Sequence, residues 1–80
     1  MKTVTIEYYA QLREQAGRDR EPVATHAVTL RELYAELQAN HGFTLPADLL
    51  KVAANAVFCD WDRDVVEGDV IVFIPPVAGG

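Results

Sequence analysis

The feature that most constrains this chain is the apolar run Val70-Ile71-Val72-Phe73-Ile74, closed by Gly68-Asp69 on one side and Pro75-Pro76 on the other. An unbroken β-branched and aromatic run of strand length predicts a strand buried on both faces, and hence one at the centre of a sheet. The prolines end it, because neither has an N–H to donate to a neighbour. With 80 residues in the chain, only one domain can be built around that strand. Half of the residues are hydrophobic and 24% are charged, a globular composition.

The rest of the chain supplies partners for this strand. Val4, Ile6 and Tyr8 alternate with Thr3, Thr5 and Glu7, which predicts a strand over residues 2–8 with one buried face. A short helix follows over residues 10–16, with Leu12 and Ala16 inward and Gly17 as its stop. Arg18 to Pro22 reads as a polar connection, and Pro22-Val23-Ala24 as a short edge strand, where proline is tolerated. Thr29-Leu30-Arg31-Glu32 is a capping box with Val28 and Leu33 as its hydrophobic staple. Leu30, Leu33, Tyr34 and Leu37 follow at helical spacing, and Asn40-His41-Gly42 is the exit of this main helix. Pro46 opens a single helical turn through Leu50, and Val52-Ala53-Ala54 and Val57-Phe58-Cys59 read as short strands around Asn55. This order predicts an α+β fold of the ubiquitin-like β-grasp type. Its mixed β-sheet carries one main helix on one face, and its first and last strands run parallel through a right-handed crossover. The expected division is a β-grasp domain over 1–74 and an extended, flexible tail over 75–80.

The side-chain inventory argues against an independent active site. His26, His41 and Cys59 have no metal-ligand spacing, and no HExxH, CxxC, GxGxxG or phosphate-loop pattern occurs. No bound metal or cofactor is expected. Cys59 reads as a small buried hydrophobe on a strand, and the two histidines as surface or cap residues. The formal charge of −5 disfavours nucleic acid, whose phosphates select clustered Lys and Arg. No apolar stretch is long enough to span a bilayer, and the first residues lack the apolar core of a signal peptide, so no membrane partner and a cytoplasmic location are expected.

What remains is Pro75-Pro76-Val77-Ala78-Gly79-Gly80. Prolines favour an extended backbone, and six extended residues span roughly 20 Å. If the carboxylate of Gly80 is the reacting group, glycine at the last two positions leaves a narrow active site unobstructed.

The chain is similar over its whole length to the small subunit of molybdopterin synthase, a ubiquitin-like sulfur-carrier family of molybdenum cofactor biosynthesis. The likeness is carried by Glu67-Gly68-Asp69, the apolar strand, Pro75-Pro76 and Gly79-Gly80, and by Tyr8-Tyr9-Ala10-Gln11-Leu12-Arg13-Glu14 with Gly17. Tyr9 stands where the family often has phenylalanine, and Ile74 where it often has a second aromatic. The resemblance implies that an ATP-dependent activating enzyme adenylates Gly80, and that a sulfur donor converts the adenylate to a thiocarboxylate. The tail then threads into the large synthase subunit and delivers sulfur to cyclic pyranopterin monophosphate, forming the molybdopterin dithiolene. ATP is consumed by the activating enzyme and not held by this chain. Catalytic side chains are expected on the large subunit, in a heterotetramer with two copies of each subunit. Other readings of the same tail are a sulfur carrier for another product, such as thiamin thiazole, and a ubiquitin-like protein modifier joined to target lysines.

Phe73, Ile74 and Val77 are the candidates for partner-interface residues, and whichever of Phe73 and Ile74 points inward belongs to the core instead. Asp60, Asp62, Asp64, Glu67 and Asp69 form an acidic stretch opposed only by Arg63. It reads as a solvated turn, with steering toward a basic partner as the functional alternative.

Overall fold

The computed structural model describes residues 1–76. Val77, Ala78, Gly79 and Gly80 lie outside the described residues. Eight elements follow in order: β1 (Lys2–Tyr8), α1 (Ala10–Ala16), β2 (Arg20–Thr25), α2 (Leu30–His41), a 3-10 turn (Ala47–Leu49), β3 (Lys51–Ala54), β4 (Val57–Phe58) and β5 (Val70–Ile74). The strands form one mixed sheet in the order β2-β1-β5-β3-β4. Among the described residues only the β1–β5 pair is parallel. This is the ubiquitin-like β-grasp, with the run that opened the sequence reading as its middle strand.

Helix α2 begins as its capping box dictates. Thr29 Oγ1 accepts from the Glu32 N–H at 3.2 Å, and the Glu32 carboxylate accepts from the Thr29 N–H at 3.4 Å and also from the Val28 N–H at 2.7 Å. Both helices end on a glycine in the left-handed region, Gly17 at φ 77° and Gly42 at φ 72°, where a side chain would be strained. Helix α2 lays Leu30, Leu33, Tyr34 and Leu37 on Val4, Ile6 and Tyr8 of β1, Val52 and Ala54 of β3, and Ile71 and Phe73 of β5. Each large apolar side chain buried there contributes on the order of 2 kcal/mol. Tyr34 and Trp61 close over Phe73 with ring centroids at 5.1 and 5.7 Å, the Trp61 ring stacked nearly parallel.

Several sequence expectations are corrected. β5 is central, but only Ile71 and Phe73 are buried, while Val70, Val72 and Ile74 are half covered. All the helices lie on one face, so the unbroken run marks an apolar but uncovered second face. Phe73 is fully buried and therefore belongs to the core and not to an interface. β2 begins at Arg20 and pairs with β1 along six residues, so part of the expected polar connection is strand. Pro22 is tolerated because β2 is the sheet edge. Cys59 falls just past β4 and is half buried. His26 is exposed as expected, but His41 is half buried, stacking on Phe43 at 5.2 Å.

Candidate docking face and tail root

The register fixes which side chains share the uncovered face. Val72 opposes Glu7 on β1 and Ala53 on β3, Ile74 opposes Lys51, and Ala53 opposes Phe58 on β4. Directly opposed residues point to the same side of a sheet. The face therefore divides. Toward β2 it is polar, with Arg20 and Glu7 paired at 3.7 Å. Toward β4 it is apolar, with a shallow hollow of about 460 Å³ lined by Tyr9, Ala53, Ala56, Phe58, Val72 and Ile74. Phe58 is 69% exposed and Tyr9 50% exposed, a costly display of aromatic surface in a small domain.

Phe58 is held there by a tight hairpin. Asn55 and Ala56 both have positive φ, 53° and 70°, the backbone of a two-residue turn whose twist suits the flanking strands. The sequence predicts two short strands around Asn55, but neither their antiparallel pairing nor the exposure of Phe58. The signal was the alternation Val52 inward, Ala53 outward, carried across the turn. Of the candidate interface residues, Ile74 lies on the apolar face and Val77 is outside the described residues. Pro75 is half buried and Pro76 exposed, so the chain leaves β5 at the rim of the hollow.

The start of β5 is anchored by a network that the sequence did not reveal. Asp69 is 4% exposed. Its carboxylate accepts from Arg63 at 2.8 and 3.3 Å, from Asn55 Nδ2 at 2.9 Å and from the Val66 N–H at 2.8 Å. Asn55 in turn accepts from the Val70 N–H at 2.9 Å. The Arg63 hydrogen bonds, aided by those of Val66 and Asn55, outweigh burial and hold the Asp69 carboxyl below its ordinary range. Asp69 thus leaves the solvated acidic stretch, in which Asp60, Asp62, Asp64 and Glu67 remain exposed. Asp62 faces Arg31 at 3.6 Å, so Arg63 is not the only cation near it.

A second polar cluster lies beneath the tail end of β1. The Tyr8 hydroxyl donates to Glu21 Oε2, which also meets His41 Nε2 at 2.7 Å, and Arg18 lies 3.5 Å from Oε1. Burial pushes the Glu21 carboxyl up, but hydrogen bonds from Tyr8 and His41 outweigh it, and the net shift is downward. Among the described residues, no group of three or more His, Cys, Asp and Glu side chains is placed to hold a metal ion, and no helix is long and apolar enough to cross a membrane.

An apolar half-face beside the end of the central strand is a surface equipped to dock on a partner. The chain is 30% identical over 80 residues to the molybdopterin synthase sulfur carrier subunit of Escherichia coli K12, covering 96% of this chain and 99% of that one. A solved structure of a putative molybdopterin converting factor subunit 1 from Pyrococcus furiosus matches with a TM-score of 0.80 at 28% identity, covering 96% of this chain and all of that one. A chain of the protein-protein complex of subunits 1 and 2 of the molybdopterin-converting factor from Helicobacter pylori matches with a TM-score of 0.68 at 26% identity, covering 98% of this chain and 99% of that one. The ThiS family profile matches residues 6–80, nearly the whole chain, and the chain belongs to the ThiS family.

Proposed function

We propose that this chain is a sulfur carrier acting as the small subunit of a molybdopterin synthase. The observation that carries the reading is the full-length identity of 30% to a molybdopterin synthase sulfur carrier subunit. The geometry supports it, because the segment ending in Gly79-Gly80 follows the central strand and starts beside an apolar half-face. The Gly80 carboxylate attacks the α-phosphorus of ATP on an activating enzyme, releasing pyrophosphate. Sulfide-level sulfur from a donor displaces AMP and leaves a thiocarboxylate. The tail then enters the large subunit, where the thiocarboxylate sulfur bonds to a side-chain carbon of cyclic pyranopterin monophosphate as an oxygen substituent leaves that carbon, and water cleaves the acyl–sulfur bond, leaving the sulfur on the pterin and returning Gly80 to the carboxylate. Two deliveries complete the dithiolene. Six residues beyond Ile74 can reach at most roughly 20 Å when fully extended; in this reading the body contributes docking and the partner contributes catalytic side chains. ATP is a substrate of the activating enzyme, no cofactor resides in this chain, and the cycle runs in the cytoplasm.

Mass spectrometry of the chain isolated from its own cells tests this reading. A fraction with one terminal oxygen exchanged for sulfur is expected, and it disappears when Gly80 is deleted. Recovery of the chain joined to target lysines, with no thiocarboxylate, would overturn the carrier reading in favour of a protein modifier.

A further inference from the structure

Among the described residues, three that are not glycine hold a positive φ: Ala10 at 50°, Asn55 at 53° and Ala56 at 70°. A Cβ makes this region unfavourable, so such residues cost stability and persist where the surroundings or a function demand them. All three adjoin one place. Ala10 follows Tyr9, and Asn55 and Ala56 form the turn that leads into Phe58, while Tyr9, Ala56 and Phe58 all line the apolar hollow of about 460 Å³. Asn55 has a local reason for its conformation. Its side chain donates to Asp69 Oδ1 and accepts from the Val70 N–H, both at 2.9 Å, and asparagine enters the left-handed region more readily than most residues. Ala56 has no polar side chain to make such bonds. The second position of a two-residue turn of this kind ordinarily holds glycine. Glycine at position 56 would relieve the strain, but it would also take a methyl out of the lining of the hollow.

We propose that Ala56 is a docking contact: its methyl, held on the hollow by a strained turn, meets an apolar side chain of the large subunit, and stability is given up for binding. The inference rests on the proposed function and names a specificity residue for its docking step. The hollow suits that occupant. Its lining of Tyr9, Ala53, Ala56, Phe58, Val72 and Ile74 holds no charged side chain, so it has nothing to pair with a charged group and favours an apolar one. Ile74, one of its walls, leads directly into Pro75, so a protein that accepts the end of this chain comes up against the hollow. The local alternative is a turn that serves the hairpin alone. In that case glycine at position 56 would raise stability and leave binding unchanged.

The test uses the full chain and the recombinant large subunit of molybdopterin synthase from the same organism. Tm and Kd are measured for wild type, Ala56→Gly, Ala56→Asn and Ala10→Gly. Ala56→Gly is expected to raise Tm by about 3–6 °C through relief of strain. The same variant should weaken binding about 3- to 5-fold, the worth of one buried methyl. Ala56→Asn separates contact from flexibility, because asparagine suits the left-handed backbone but sets an amide against an apolar surface. It should keep or raise Tm while weakening binding about 10-fold. Ala10→Gly makes the same change at a left-handed alanine that does not line the hollow, and should bind within about 2-fold of wild type. Either Ala56 variant binding as tightly as wild type, or an Ala10→Gly loss as large as that of Ala56→Gly, would overturn the proposal. A fall in Tm for Ala56→Gly would remove the strain on which it stands. A wild-type chain that dimerises in sedimentation, with the dimer lost in Ala56→Asn, would assign the hollow to a second copy and overturn it as well. Failure of the wild-type chain to bind the large subunit would instead remove the proposed function on which the inference rests.

Discussion

Replacing Asp69 with asparagine removes one negative charge from a site that is 4% exposed and leaves the geometry nearly isosteric. The wild-type carboxylate accepts two hydrogen bonds from Arg63, one from Asn55 and one from the Val66 N–H. An amide at this position has one acceptor oxygen for these donors, and its NH2 group faces the guanidinium. Hydrogen bonds to a charged group contribute about 1.5–3 kcal/mol each, though not additively. Breaking a buried ion pair costs about 3–5 kcal/mol. Arg63 keeps 30% of its side chain in water, so the lower part of these ranges applies, and a loss of about 2–3 kcal/mol is expected at pH 7. For a domain of this size that lowers Tm by about 10–20 °C. The effect carries a pH signature. Because the folded carboxyl titrates below its unfolded value of about 3.9, its stabilisation is complete above about pH 5 and is lost as pH falls through 3.9 and below. Urea denaturation of wild type and Asp69→Asn between about pH 7 and pH 2 should therefore show two curves that converge in acid. A difference under about 0.5 kcal/mol at pH 7, or one that does not shrink in acid, would refute the reasoning.

Three further outcomes follow from the same structure. Glu21 titrates below its ordinary range in the folded chain, so its contribution is present above about pH 5.5 and lost through about pH 4. Urea midpoints of Glu21→Gln should depart from wild type at neutral pH and approach it in acid. Burial and the Glu21 hydrogen bond push the Tyr8 hydroxyl far above the usual tyrosine value, so ultraviolet titration should show Tyr8 ionising only when alkali unfolds the chain. Phe58→Asp and Ile74→Asp place a charge on the apolar half-face; each should weaken large-subunit binding at least about 10-fold while changing Tm by only a few degrees, since Phe58 is 69% exposed and Ile74 half covered.

Most of the fold was legible because its signals are local. The alternation of Val4, Ile6 and Tyr8, the Thr29–Glu32 capping box and the proline stop after Ile74 each report on a few neighbouring residues. What the sequence hid depends on contacts far apart in the chain. The run from Val70 to Ile74 does not distinguish a strand covered on both faces from one whose second face is apolar and open. That distinction decides whether Ile74 is core or docking surface. Asp69 looked like one acid among five, and only the approach of Arg63 and Asn55 makes it an internal anchor. His41 and Glu21 meet across twenty residues at 2.7 Å, with no periodicity to announce it. Phe58 emerges on the open face because the turn at Asn55 and Ala56 sets the register of a two-residue strand. The tail was read from its composition and from family resemblance, and its glycines lie outside the described residues.

The central claim concerns sulfur at Gly80. Full-length chain is prepared in carboxylate and thiocarboxylate forms, and each is incubated with the large subunit and cyclic pyranopterin monophosphate. The product is measured as molybdopterin per chain consumed. The account predicts molybdopterin only from the thiocarboxylate form, with two chains returned to the carboxylate for each molybdopterin made. Equal product from the carboxylate form, or no product from a thiocarboxylate chain that binds the large subunit, would contradict it.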